Sequence, residues 1–266
     1  GMVSFVTHVG SETVDFFRSA GVMLTFSGDT VFAVGHLLRG KAQYRKCVLG
    51  LVLVSCGGQA LPMVSLIWVL VGLILACMGA IQLKLFGAQI YVADLVGIAM
   101  VRLMAAIMTG IVMAGRTGGA FAAQLGTMQV NQEIDALKTL GISPMEFLVL
   151  PRMLALALMM PLLCLYANIM GILGGMVVGV GMLDIGFTQY YNETVKAVNL
   201  WNLGIGLFSG TVFGVIVALS GCMRGMQCGR SASAVGEAAT SAVVTAIVGI
   251  ILSTALITVL CNLLGI

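Results

Sequence analysis

Apolar residues run through this chain in long unbroken stretches, with no two-residue alternation and few polar interruptions. Four runs are plain, at roughly 61–83, 92–114, 147–182 and 200–223, and a fifth covers about 238–264; each reaches the roughly 20 residues that a helix needs to cross a bilayer. The pattern predicts five membrane-spanning helices. The first begins raggedly. Cys47 to Ser55 is already apolar, and Cys56-Gly57-Gly58 and Pro62 then interrupt it, so a bent or re-entrant entry helix is expected. The third run is longer than one bilayer and holds Pro151 and Pro161, which predicts a kink or a tilt.

Before these runs, residues 11–38 are not apolar enough to span. Val14, Phe17, Gly21 and Leu24 fall at helical spacing, with Glu12, Asp15 and Arg18 turned elsewhere. The stretch 11–46 is expected to hold an interfacial helix on the inner leaflet, or one packed on the bundle; the two readings are compatible. Charges this early, ahead of any long apolar run, argue against a cleavable signal peptide.

Between the second and third runs, residues 115–146 read as a loop long enough to have a function of its own. Val130, Ile134, Leu137 and Leu140 line one helical face, and Glu133, Asp135 and Lys138 take the other. Gly141 is a C-terminal stop and Pro144 follows it. Ser143-Pro144-Met145-Glu146 then has the form of a capping box opening the next helix. A short helix over about 128–141 is therefore expected, its apolar stripe either docked in a partner's groove or laid on the membrane.

Composition narrows the class. Hydrophobic residues make up 60% of the chain and charged ones 9%, against roughly 25% charged in a soluble domain. A soluble enzyme and a nucleic-acid binder are excluded, because the net charge of +3 is small and scattered. The 7 cysteines form no C-x-x-C pair, and His8 and His36 lie far from any of their spacings, so neither a disulfide framework nor a metal site is expected. Thirty-five glycines suit close-packed helices: Gly171, Gly175 and Gly179 recur every fourth residue, as do Gly206, Gly210 and Gly214, then Gly221, Gly225 and Gly229. Such ridges serve packing within one subunit or between two. The 18 methionines form an adaptable apolar surface or fill the bundle.

Basic residues set the orientation. Arg18, Arg39, Lys41, Arg45 and Lys46 precede the spans; Arg116, Lys138 and Arg152 lie between the second and third; Arg224 and Arg230 lie between the fourth and fifth. The alternate loops hold only Lys84 and Lys196. The positive-inside rule places the N-terminus in the cytoplasm and the C-terminus outside.

The run AGRTGGAFAAQLGTMQVNQEIDALKTLGISPMEFLVLPR resembles the signature of the MlaE (YrbE) family of ABC-transporter permeases. RSAG and LLRGK near the start, FGAQIYVADLVG, and Val235-Gly236-Glu237-Ala238-Ala239-Thr240 extend the likeness over most of the chain. It implies one permease domain over 1–266, an all-α polytopic fold with its transmembrane bundle at 47–264, in a bacterial inner membrane. It also implies a homodimer that moves phospholipid between that membrane and a hexameric MCE-domain carrier in the periplasm. ATP and Mg would be held by a separate ABC ATPase, which a STAS-domain protein often accompanies. A permease of that kind would do no covalent chemistry and need no cofactor of its own. The absence of G-x-x-x-x-G-K-[ST] agrees that any nucleotide is bound by another chain.

Under this likeness the helix at 128–141 becomes a coupling helix, with Glu133, Asp135, Leu137 and Lys138 as contacts to the ATPase. Val69, Leu73, Cys77, Phe86 and Arg102 are the candidate lipid contacts. Arg102 departs from the family pattern, because the glutamate that usually follows it is Leu103 here. An arginine inside a span marks a functional site by default; it meets a lipid phosphate, meets a carboxylate on another helix, or snorkels to the interface. Gln124 stands where the family often has glutamate, and Gln132-Glu133 reverses the usual order. Two rival functions remain, an ion-gradient-driven transporter and a membrane scaffold without transport. The first wants embedded acidic residues and an internal repeat, whereas Asp94 sits only at a span end.

Overall fold

In the computed structural model, residues 46–264 are described except Phe86 and Ala88, together with a few isolated positions between Gly21 and Phe32. The interfacial helix expected at 11–46 otherwise lies outside the described residues, as does Phe86. Helix α1 (Lys46–Cys56) leads through a single tight turn at Gly58–Ala60 into α2 (Leu61–Lys84). The interruption has two causes. Gly57 lies so close to Met159 that a Cβ there would overlap its methyl group, and Pro62 occupies the start of α2, where a missing N–H costs nothing. The entry helix is thus interrupted where the sequence places Cys56-Gly57-Gly58, and Leu49–Lys84 forms one candidate span.

The second span departs from expectation. It does not end near residue 114. One helix, α3, runs over Val92–Val130, wound more loosely into single π turns at Met100–Met104 and Ala114–Gly118. The stretch read as the first half of a loop is helical, because Phe121, Ala122 and Leu125 are buried and Gly118, Gly119 and Gly126 lie against neighbouring helices. The true connection spans only Asn131 to Pro144 and carries the short helix α4 (Glu133–Thr139). Helix α5 (Leu150–Gly181) follows a third π turn at Met145–Val149. No side chain caps that turn at Pro144; the Phe147 N–H donates to the Ser143 carbonyl instead, at 3.1 Å.

Beyond α5, the amphipathic helix α6 (Phe187–Ala197) occupies what the sequence suggested was a plain loop. Helices α7 (Leu200–Met226) and α8 (Ala232–Leu263) complete five candidate spans. The chain is an all-α, multi-pass membrane protein. Alternating helix directions bring Arg116, Lys138, Arg152, Arg224 and Arg230 to one end, here called the basic end, and Lys84 and Lys196 to the opposite end.

Small residues set the packing. Helices α2 and α5 run parallel, with Gly72 backed on the Gly171 carbonyl and Gly174 on that of Val69. Along α7, a Cβ at Gly214 would stand 2.8 Å from the Leu156 carbonyl of α5, and one at Gly221 only 2.7 Å from that of Gly118 on α3. Gly225 meets Ala122 in the same way, at 2.8 Å. These ridges thus pack helices of one chain against each other, the close approach that glycine permits in membranes. Helix α8 is different. Ala238, Ala242, Ala246 and Ile250 form one buried stripe, and nothing is buried from Ile251 to Leu264.

Candidate functional site

Arg102 sits in the first π turn of α3, toward the opposite end of the span. Its Nη1 donates to Asn202 Oδ1 on α7 at 3.4 Å, a long contact for such a bond. Beside it lies a narrow crevice lined by Leu103, Ala106, Ser209, Phe213, Thr254 and Ile257. The crevice in one chain does not admit a water molecule. Its outer wall is the unburied half of α8, where Leu252, Leu256 and Leu260 are exposed. π turns recur at functional sites, and the three among the described residues hold Arg102, Arg116 and Glu146 in turn.

The other candidate lipid contacts lie elsewhere. Val69, Leu73 and Cys77 are half-buried along α2, with Val69 at the α5 contact. The face of α2 that is open runs beside them, through Leu66, Leu70, Ile74 and Met78 at four-residue spacing. None of the three shares the Arg102 crevice.

At the basic end, α4 closes as the sequence suggests. Gly141 takes φ 74, the Ile142 N–H donates to the Leu137 carbonyl at 3.0 Å, and the Gly141 N–H donates to that of Lys138 at 3.0 Å. This is the paired bonding of a glycine helix stop. The apolar stripe points inward. Ile134 is 1% exposed and Leu137 is half-buried against the core, whereas Leu140 is 72% exposed. Asp135 lies 3.5 Å from Lys138 and 3.8 Å from Arg230, which ties α4 to the start of α8. Glu133 accepts from Asn131 Nδ2 at 3.3 Å. The open surface of α4 is therefore Glu133, Ala136, Lys138, Thr139 and Leu140.

Helix α6 forms a feature the sequence reading missed. Tyr190 is fully buried over Gly175 and Gly179, and the burial pushes its phenol up to about 12. Phe187, Tyr191 and Val195 recur at four-residue spacing and stay exposed, a signal of amphipathy that was present in the sequence. Between α6 and α5 lies an apolar recess of about 380 Å³, lined by Ile169, Leu173, Met176, Tyr191, Val195 and Val198. On the polar side Lys196 donates to Glu193 at 2.8 Å, which raises the lysine.

The family model described as Permease MlaE matches residues 52–260. A probable ABC transporter permease protein of Rickettsia typhi is 32% identical, over 88% of this chain and 89% of its own length. One from Synechocystis is 32% identical, over 76% of each chain. The intermembrane phospholipid transport system permease protein MlaE of Haemophilus influenzae is 28% identical, over 85% of each.

Proposed function

The chain belongs to the MlaE permease family of ABC transporters, and from that premise we propose that two copies of it form the membrane channel of a phospholipid transporter. The basic end faces the cytoplasm, by the positive-inside rule, and the membrane is the bacterial inner membrane. A separate ABC ATPase binds ATP and Mg and docks on the exposed face of α4, contacting Glu133, Lys138 and Leu140. Asp135 and Leu137 hold that helix on the bundle. An MCE-domain protein, a hexamer in this family, receives or delivers the lipid outside, and a STAS-domain protein can sit on the ATPase.

The observation that carries this reading is the unfinished crevice at Arg102. A guanidinium inside a span is costly and marks a functional site by default. Here it borders a gap too narrow for lipid in one chain, next to the half of α8 that has no fully buried residue from Ile251 to Leu264. A second copy laid against α8 widens the gap into a shared cavity, with one Arg102 from each chain to meet a lipid phosphate. Closure of the ATPases draws the two α4 helices together and compresses that cavity.

Reconstitution tests the proposal. The permease, co-purified with the ATPase encoded beside it, is placed in liposomes with fluorescent phospholipid and an MCE acceptor. ATP-dependent transfer of lipid in either direction supports the reading. Transfer that ignores ATP, or ATP turnover that ignores lipid, would favour a gradient-driven carrier or a scaffold.

A further inference from the structure

Among the described residues, two guanidinium groups at the basic end have no carboxylate partner. Arg116, in the second π turn of α3, donates from Nη2 to Gln59 Oε1 at 3.4 Å. Arg152, in the first turn of α5, donates from Nη1 to the Leu148 carbonyl at 2.8 Å and from Nη2 to Gln124 Oε1 at 3.5 Å. Its Cζ also lies 5.6 Å from the centre of the Phe121 ring. Among the described residues, neither arginine has a carboxylate within ion-pair distance. Both amide contacts are near the outer limit for a hydrogen bond.

The forks are also incompletely used. Arg116 Nη1 and Arg152 Nε are sealed from solvent and have no acceptor. Guanidinium does not lose its proton in a protein, so the charge cannot be relieved by titration. A charged donor left unsatisfied in a buried place is more costly than a neutral one. The two groups are neighbours, since both act electrostatically on Cys56. Each side chain as a whole is only half-buried.

Their depth identifies the surface. Arg116 lies about 36 Å along the helix from Val92, and Gln59 about 37 Å back from Lys84. A hydrocarbon core is about 30 Å thick. With the opposite ends of α2 and α3 at one membrane face, this cluster lies at headgroup level on the other.

We propose that Arg116 and Arg152, with Gln59 and Gln124, form a binding site for the phosphate of a lipid headgroup in the leaflet at the basic end. The amides supply further donors, and planar forks suit phosphate oxygens. Basic pockets between spans are a recurring form of headgroup recognition. This site lies about 21 Å along α3 from Arg102, so it is separate from the transport cavity. It does not depend on what is transported. A bound lipid joins the bend between α1 and α2 to α3 and α5.

Native mass spectrometry in detergent tests the site, with phosphatidylglycerol, diacylglycerol of the same chains, and inorganic phosphate as probes. Gln124→Glu places a carboxylate beside Arg152 and should compete with the ligand from within; Arg152→Gln removes the charge. The expected result is about a tenfold weaker affinity for one phosphatidylglycerol per chain in both variants, with diacylglycerol binding unchanged. Inorganic phosphate should leave the lipid bound. If Gln124→Glu folds with its melting temperature kept and binds phosphatidylglycerol as tightly as the wild type, the proposal fails. Displacement of the lipid by inorganic phosphate would assign the site to a soluble anion and overturn the lipid assignment.

Discussion

The ring of Tyr190 lies in the notch left by Gly179, where a Cβ would stand 2.7 Å from Cδ2. This contact seats α6 on α5, and it leaves the phenol oxygen buried without a partner. Tyr190→Phe should therefore be neutral or stabilising by about 1 kcal/mol, because it removes an unsatisfied group and keeps the shape. Tyr190→Ala should cost about 3–5 kcal/mol through the cavity it leaves. Thermal unfolding in detergent measures both.

The same residue sets an alkaline limit. Its folded pKa of about 12 exceeds the ordinary value of 10.0, so folding favours the neutral phenol. Below the ordinary value both states are protonated and stability does not change with pH. Above it the unfolded chain loses the proton first, and stability falls until the folded value is passed. Wild-type protein should lose stability over that window more steeply than Tyr190→Phe, as pH-dependent melting would show.

Glycine substitutions should divide sharply by position. Gly72→Ala would drive a methyl group into the Gly171 backbone, separating α2 from α5. Gly204 has nothing within 4 Å of an added Cβ, so Gly204→Ala should be harmless or stabilising by up to about 1 kcal/mol through helix propensity. A similar loss of melting temperature in both would contradict the packing described.

Leu137 in α4 and Leu140 just after it should separate anchoring from docking. Leu137→Asp puts a charge against the core and should loosen α4, lowering the melting temperature of the permease alone. Leu140→Asp leaves that temperature unchanged and weakens co-purification with the ATPase. Normal association and lipid-stimulated turnover in the Leu140 variant would remove the docking role.

Arg102→Ala should lower the phospholipid retained on purification, whereas Arg102→Lys should keep part of it, since a point charge remains without the planar fork. Lipid extraction and mass spectrometry give the measure. Unchanged content in the alanine variant would return Arg102 to snorkelling.

The five spans were legible because a bilayer demands apolar length, and composition reports that directly. The glycine stop of α4 was legible too, since only a left-handed residue closes the helix at Gly141. Three features were not. The second span continues to Val130 because Gly118, Gly119 and Gly126 meet other helices, and in sequence such glycines look like loop. The stripe of Ile134 and Leu137 was readable as amphipathic, but periodicity does not say whether its partner is another protein or the same chain. The π turns around Arg102 and Arg116 add a residue to a helical turn with no local signature. Val69, Leu73 and Cys77 prove half-buried beside the open stripe of α2, a rotation about the helix axis that a uniformly apolar run does not encode.

The most direct test of a dimeric, ATPase-driven phospholipid permease is native mass spectrometry of the protein co-expressed with its chromosomal neighbours. Two copies of this chain, two ATPases, an MCE hexamer and bound phospholipid are expected in one particle. A single chain, or a dimer that carries neither ATPase nor lipid under gentle conditions, would contradict it.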